Sequence, residues 1–362
     1  MPYDRPPLSK QVLSGKWPTE QTMLSPVGID MDQLEADWRL GARATALDMA
    51  DRAIVLADGE RVGFDGLVIA TGASVRRLPG QPHLDGIHVL RTLDDCLALR
   101  ADLDRGPERV VVVGAGFIGA EVAATAREKG LDVTLLEALP VPLQRGLGEE
   151  MGSVCATVHR EHGVDLRLST GVESFEDDDA GRVTGVVLTD GTIVRADVVV
   201  VGIGVTPNTE WLEGSGLTLD NGVVCDESCL AAPGVVAAGD VARWPNRRFD
   251  EVMRVEHWDN AQEQGAHAAR TLLGHPEPYM PVPWFWSDQY DRKIQLAGRA
   301  GPGDEVRVVD GSTDEQKFAA LYGRNGRLVG VLGFNRPALV MRYRQLIASG
   351  TSWDDALAAA SG

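Results

Sequence analysis

The sequence has few cysteines and no long apolar run, and each absence excludes a class of protein. Its 362 residues include four cysteines, which form no CxxC pair and have no accompanying histidine cluster. We therefore expect buried or incidental thiols rather than a metal centre or a redox dithiol. No run of about 18 apolar residues occurs, which excludes a membrane-spanning helix. The opening residues MPYDRPPLSK do not resemble a secretory signal, so we expect a cytoplasmic protein that does not bind membranes.

Positive charge is also scarce. Lysine and arginine number 35 against 53 aspartates and glutamates, which gives a formal net charge of −18. A surface this acidic repels polyanions, so nucleic acid is not expected as a partner. Hydrophobic residues make up 44% of the chain, enough for a packed interior, and its length predicts two or three domains.

What the sequence does contain is a complete dinucleotide-binding pattern at residues 109–137. An apolar run predicts a buried parallel strand, and the turn GAGFIG follows it directly. In such a turn, Gly114 permits the tight bend, Gly116 lets the backbone approach a pyrophosphate, and Gly119 lets the helix pack on the strand. Glu137 closes the second strand, where a carboxylate binds the adenosine ribose hydroxyls. We therefore expect NADH to be preferred over NADPH.

Two alternatives stay open for this pattern. A glycine turn can pack a helix against a strand without binding any nucleotide. Arg145 lies a few residues after the acid and could accommodate the 2′-phosphate of NADPH. The ordered succession of strand, turn, helix and acid favours the NADH site.

Apolar periodicity and turn residues predict further elements on both sides of this unit. We expect strands at 66–70, 164–168 and 234–239, a hairpin of 183–188 with 193–201, and helices from residue 93, over 260–273, over 337–347 and at the C-terminal end. The alternation of strands and helices predicts an α/β fold.

Six segments together resemble the FAD-dependent NADH:ferredoxin reductases of the putidaredoxin and rhodocoxin reductase type. They are PYDRPPLSK (2–10), IATGA (69–73), GAGFIG (114–119), AAGD (237–240), RVEHWDNAQEQG (254–265) and WFWSDQY (284–290). RPPLSK and WFWSDQY are specific to this family rather than to Rossmann folds in general. The resemblance spans the whole chain. It implies a flavoprotein that passes electrons from NADH through FAD to a small [2Fe-2S] ferredoxin serving a cytochrome P450 or dioxygenase system.

The resemblance also implies the architecture: two Rossmann-like dinucleotide-binding domains and a small α+β C-terminal domain. The FAD domain would comprise 1–104 and 222–281, the NADH domain 105–221, and the C-terminal reductase domain 282–362. Family members carry one glycine fingerprint for FAD and another for NADH. This sequence shows only the second, so we expect the FAD domain to lack its first strand–turn–helix unit.

The incomplete fingerprint set leaves a second class of function open. The alternative to an active flavoenzyme is a truncated, FAD-poor remnant that binds NADH without turnover. For an active enzyme, rubredoxin or a quinone is an alternative electron acceptor to ferredoxin. A homodimer is also left open.

The resemblance assigns catalytic roles to three residues. Lys10 corresponds to a lysine that faces the isoalloxazine ring, where a cation stabilises the reduced flavin. Glu121 corresponds to an acid near the nicotinamide, and Trp258 to an aromatic residue that shapes the nicotinamide pocket. The alternatives are a surface lysine, a surface glutamate and a core aromatic residue. The segment around Lys10 has no dithiol, which disulfide reductases of related fold require.

The remaining cofactor contacts rest on the same resemblance. Asp240 is placed like the acid that binds the ribityl chain, with a helix cap as its alternative. Trp286 is expected to shield the flavin from solvent, with core packing as its alternative. The other expected cofactor-binding residues, besides Lys10, Trp258, the three fingerprint glycines and Glu137, are Ala44, Arg91, Ile118 and Gly204.

Overall fold

The computed structural model describes residues 2–24 and 34–360. Residues 25–33 of the expected FAD segment lie outside the described residues. The helices are α1 (Leu93–Asp104), α2 (Phe117–Glu128), α3 (Gln144–Glu161), α4 (Trp258–Leu272), α5 (Pro337–Ala348) and α6 (Trp353–Ala358). Among the helices of the described ranges, none is long and apolar enough to cross a membrane.

The strands are short, and most are three to six residues long. They are β1 (Ala44–Asp48), β2 (Ala53–Leu56), β3 (Arg61–Gly63), β4 (Leu67–Ile69), β5 (Ala73–Val75), β6 (Ile87–His88), β7 (Arg109–Val113), β8 (Asp132–Leu136), β9 (Asp165–Arg167), β10 (Val172–Asp177), β11 (Val183–Leu188), β12 (Ile193–Arg195), β13 (Val198–Val201), β14 (Val205–Pro207), β15 (Val223–Val224), β16 (Leu230–Ala232), β17 (Val235–Ala237), β18 (Ala242–Asn246), β19 (Glu251–Met253), β20 (Trp284–Gln289), β21 (Arg292–Gly298), β22 (Glu305–Ser312), β23 (Lys317–Arg324) and β24 (Arg327–Phe334).

Contacts divide the chain into two units. The first consists of the described parts of Met1–Pro2 and Leu24–Ser74, together with Val205–Phe285. In it, β1, β2 and β3 form an antiparallel meander, and β4 pairs in parallel with β17 in a sheet of order β16-β17-β4. Helix α4 packs on β17 and β4. A third sheet has the order β15-β18-β19.

The second unit consists of Tyr3–Met23, Val75–Gly204 and the described part of Trp286–Gly362. Its centre is a parallel sheet of order β6-β13-β7-β8-β9, with α2 packed on β7 and β8. A meander of β10, β11 and β12 precedes β13. The C-terminal part is an antiparallel sheet of order β20-β21-β24-β23-β22, against which α5 packs. The α/β fold and the strand–turn–helix order of the fingerprint segment are thus as the sequence predicts.

The proline-rich N-terminal segment is part of the core of the second unit. Leu8, Val12 and Leu13 are buried together with residues of α1, α2 and the parallel sheet. This anchoring fixes the backbone of Ser9 and Lys10 beside α2, because the residues on both sides of them are held in the core.

One expected strand, 193–201, is two strands. Residues Ile193–Arg195 complete the meander, whereas Val198–Val201 pair in parallel with β7 and β6. The break occurs at Asp197, whose backbone N–H donates to the carbonyl of Arg109 while its carboxylate accepts the Arg109 N–H at 2.9 Å. The sequence of residues 193–201 predicts one strand, because periodicity does not reveal that the pairing strand changes along it.

Candidate functional site

The glycine turn after β7 has the geometry that a dinucleotide requires. Gly114 has a φ of +98°, and a Cβ there would lie 2.5 Å from the carbonyl oxygen of Gly202. A Cβ on Gly119 would overlap the carbonyl oxygen of Gly114. A Cβ on Gly116, in contrast, would meet no atom of the described chain within 4 Å. Two glycines therefore allow close packing, and the third leaves open space at the N-terminus of α2, which suits a pyrophosphate.

Glu137 is held against this turn. Its carboxylate accepts the backbone N–H of Ala115 at 2.7 Å and that of Leu139 at 2.9 Å. Ile118 lies in the first turn of α2 and is 45% exposed, beside the open approach to Gly116. Gly204, with a φ of +102°, accepts the N–H of Arg76 through its carbonyl. The donor and acceptor set at this turn fits a nicotinamide dinucleotide.

A charge pair joins α2 to the N-terminal segment. Glu121 is 2% exposed. Its carboxylate accepts hydrogen bonds from the Lys10 ammonium group at 2.8 Å, from the Ser287 hydroxyl at 2.7 Å and from the Ser9 hydroxyl. Burial raises the pKa of the Glu121 carboxyl, and the Lys10 ammonium and the two hydroxyls oppose that rise. The Lys10 side chain is 11% exposed. The alternatives of a surface lysine and a surface glutamate are therefore wrong.

The two serines of this cluster were not among the residues predicted from the sequence. Ser9 lies in RPPLSK and Ser287 in WFWSDQY, the two segments most specific to the family. Their presence in these segments could have drawn attention to them. Their common partner was hidden by distance along the chain, since Ser9 is 112 residues and Ser287 is 166 residues from Glu121.

The donor set of Lys10 suits an anionic or electron-rich ring beside it. An ammonium group has three N–H bonds. Within the described residues, its polar contacts are the Glu121 carboxylate and the carbonyl of Pro6 at 3.1 Å. One N–H bond is left for a further acceptor, which fits a flavin.

The remaining expected residues are divided between the units. In the first unit, Ala44 begins β1, Asp240 lies in the 3₁₀ turn Gly239–Val241, and Trp258 begins α4. The cap of that 3₁₀ turn is Ala238, so Asp240 is not its helix cap. Trp258 is 38% exposed, which excludes the alternative of a core aromatic residue.

Arg91 and Trp286 belong to the second unit, as do Lys10, Glu121, Glu137, Gly204 and the glycine turn. The backbone N–H of Arg91 donates to Asp95 at the start of α1. Trp286 is half-buried on β20, on the opposite face of the strand from Ser287.

All four cysteines are buried and free. Burial raises the pKa of Cys96 to about 11 and that of Cys155 to about 12. Burial also raises the pKa of Cys225 and of Cys229 to about 12. A thiol with so high a pKa is a poor nucleophile at neutral pH. Within the described ranges, no group of three or more histidine, cysteine or acidic side chains could hold a metal ion.

Comparison with known proteins identifies the family to which the chain belongs. Residues 1–265 match the family described as pyridine nucleotide-disulphide oxidoreductase, and residues 284–361 match the one described as reductase C-terminal. The chain is 40% identical over 352 residues to rhodocoxin reductase of Rhodococcus erythropolis, covering 96% of this chain and 81% of that protein. The chain belongs to the ferredoxin reductases. They include the ferredoxin–NAD(+) reductase component of the anthranilate 1,2-dioxygenase system of Burkholderia cepacia, 39% identical over 98% of this chain and 87% of that one.

Comparison with solved structures supports the same family. The crystal structure of the covalent putidaredoxin reductase–putidaredoxin complex superposes with a TM-score of 0.91 at 35% identity, covering 97% of this chain and 85% of that chain. This ferredoxin reductase is an NADH-dependent oxidoreductase with FAD and NADH as its cofactors. The predicted family, fold class and cofactor pair are therefore confirmed.

Proposed function

We propose that this ferredoxin reductase passes electrons from NADH through FAD to a small [2Fe-2S] ferredoxin of an oxygenase system. The observation that carries the proposal is the Lys10–Glu121 pair, in which Lys10 bonds to a buried acid on the helix that begins at the dinucleotide turn. One relative is the ferredoxin–NAD(+) reductase component of a dioxygenase system, which supports the class of acceptor. FAD supplies the chemistry that accepts a hydride and releases single electrons.

On the nucleotide side, the chain's own residues bind and orient NADH. The N-terminal amides of α2 and the space above Gly116 hold the pyrophosphate, and Ile118 and Gly204 border it. Glu137 binds the ribose hydroxyls and repels a 2′-phosphate, so NADH is the preferred donor.

On the flavin side, Lys10 would stabilise negative charge on FAD through the N–H bond that Glu121 and Pro6 leave unused. Glu121 balances that cation inside a buried site and fixes its position. Asp240, Arg91, Ala44, Trp258 and Trp286 are the proposed further contacts to FAD. The proposed domains are FAD (1–104 and 222–281), NADH (105–221) and C-terminal (282–362), in a protein of the cytoplasm.

The experiment measures the flavin content of the purified protein and then its turnover with NADH and NADPH, for the wild type and Glu137→Gln. We expect bound FAD, reduction of a [2Fe-2S] ferredoxin, and at least a tenfold preference for NADH that narrows in Glu137→Gln, because one carboxylate charge is lost. Glu128→Gln, which removes an exposed carboxylate of α2 paired with Lys16, is the matched control and should keep the wild-type preference.

Three outcomes would contradict parts of the proposal. A wild type that prefers NADPH would show that Glu137 does not select the nucleotide. Turnover with rubredoxin or a quinone, but not with ferredoxin, would show that ferredoxin is not the electron acceptor. Protein that binds NADH yet holds little FAD and turns over nothing would be the remnant rather than the enzyme.

A further inference from the structure

The C-terminal part of the chain contributes two buried polar side chains to the Glu121 cluster. Ser287 and Gln289 lie two residues apart on β20, so both face the same side of the strand. Both are 0% exposed. Ser287 Oγ lies 2.7 Å from Glu121 Oε1, and Gln289 Nε2 lies 3.1 Å from Ser287 Oγ.

The direction of the hydrogen bonds from Gln289 through Ser287 to Glu121 is fixed, because an ionised carboxylate only accepts and a hydroxyl group has a single proton. The amide of Gln289 donates to Ser287 Oγ, and the single hydroxyl proton of Ser287 goes to Glu121 Oε1. Consecutive hydrogen bonds polarise one another, so the amide strengthens the bond from the hydroxyl to the carboxylate. The other carboxylate oxygen, Oε2, accepts hydrogen bonds from the Ser9 hydroxyl and the Lys10 ammonium group. The two carboxylate oxygens thus have separate donors, one set from the N-terminal segment and one from β20.

Packing alone does not account for Gln289. Within the described residues, its Oε1 is buried and has no hydrogen-bond partner. A buried amide with an unpaired oxygen costs stability, and an apolar residue of similar size would avoid that cost. The amide therefore occupies this position at a cost, and its one bond to protein leads to Glu121 through Ser287.

We propose that Ser287 and Gln289 are positioning residues that hold the Glu121 carboxylate aimed at Lys10. The inference rests on the proposed role of the Lys10–Glu121 pair and deepens it. Strand β20 thereby sets the electrostatics of a site whose other members come from the N-terminal segment and α2. Neither residue is required to touch a cofactor.

A consequence follows for the ionisation of Glu121. In the described part of the chain, the groups that bond to its carboxylate are the Lys10 ammonium and the Ser9 and Ser287 hydroxyls. Burial raises the pKa of Glu121, and these donors hold it down. Each donor lost should let that pKa rise further, because hydrogen bonds to a carboxylate favour its charged form.

The test follows the protonation of Glu121 directly by infrared spectroscopy between pH 4 and 9, on the purified protein with its cofactor. The carboxylic acid band of Glu121 is assigned by its absence in Glu121→Gln. Ser287→Ala should raise the midpoint of that band by about one pH unit. Ser287→Cys should give a smaller rise because a thiol is a weak donor, and so should Gln289→Leu, which removes only the polarising bond. Asp288→Asn, on the other face of the same strand and paired with Lys293, is the matched control and should leave the midpoint unchanged.

A second measurement separates positioning from folding. The pH profile of NADH-driven dye reduction should move in Ser287→Ala with the infrared midpoint, and KM for NADH should stay within about twofold because the glycine turn is untouched. A lower kcat without any shift in either profile would overturn the inference. So would equal shifts in Ser287→Ala and Asp288→Asn. Full turnover in Glu121→Gln would refute the proposed role of the Lys10–Glu121 pair, whereas the infrared shift would still decide the role of Ser287.

Discussion

Strands β4 and β13 occupy equivalent places in the two units, yet their surroundings differ. Each directly follows a three-stranded antiparallel meander, and each is a short apolar strand in a parallel pairing. Strand β13 lies between β6 and β7, whereas β4 has β17 on one side and ends its sheet in the described part of the chain. Val199 in β13 is 0% exposed, and Val68 at the corresponding central position of β4 is 40% exposed.

The difference shows that the elements packed on the two faces of a strand, rather than its composition, decide its burial. LVI in β4 and VVVV in β13 are equally apolar. In β13, Val198 and Val200 lie in the cluster that includes α2, and Val199 and Val201 pack on the other face against residues of β11 and β12. An apolar strand of this type is expected to be buried on both faces only when packed elements cover both faces of its sheet.

The largest effect expected from this comparison is a charge placed at the two central valines. Val199→Asp should cost more than about 4 kcal/mol in the free energy of unfolding, because it buries an unpaired carboxylate in the apolar cluster shared with β11 and β12. Val68→Asp should change that free energy by no more than about 0.5 kcal/mol, since its side chain already reaches water. Chemical denaturation of both variants measures the two values. Equal losses would mean that the two strands have the same environment in solution.

The sequence predicted the fingerprint segment well because every contact within it is local. Strand, turn, helix and acid lie within 29 residues, and periodicity and glycine chemistry describe them completely. Glu121 was left open between a site and a surface position, because its burial depends on Lys10 and Ser287, which are far away in the chain. The break at Asp197 was missed for the same reason, since it is set by pairing with Arg109. Local pattern specifies elements, and long-range pairing specifies which of them meet.

A smaller effect separates the functions of two glycines in the turn after β7. Gly119→Ala should cost about 3 kcal/mol of stability, since the new methyl group overlaps the carbonyl of Gly114. Gly116→Ala should leave the melting temperature unchanged because its Cβ meets open space, yet weaken NADH binding at least tenfold by filling the place of the pyrophosphate. Calorimetry and fluorescence titration with NADH measure the two quantities. Normal NADH affinity in Gly116→Ala would show that NADH does not bind at this turn.

A last effect, close in size to that of Gly119→Ala, distinguishes the two units by their response to acid. His159, near the end of α3 in the second unit, is 0% exposed and bonds through Nδ1 to the hydroxyl of Tyr290 at 2.9 Å. Burial lowers its pKa to about 4, so the unfolded chain takes up a proton before the folded chain does. Stability contributed by neutral His159 is therefore complete above about pH 6.5 and is lost as the pH falls towards 4, by roughly 3 kcal/mol in total.

This response can be assigned by comparing two histidine variants over that window. His159→Gln should show a flatter fall in unfolding free energy between pH 6.5 and 4 than the wild type, because glutamine takes up no proton. His267→Gln, which alters a partly exposed histidine of the first unit bonded to the Glu277 carbonyl, should keep the wild-type slope. Parallel curves for all three proteins would mean that His159 is protonated in the fold at these pH values, and that acid acts on the second unit through its carboxylates instead.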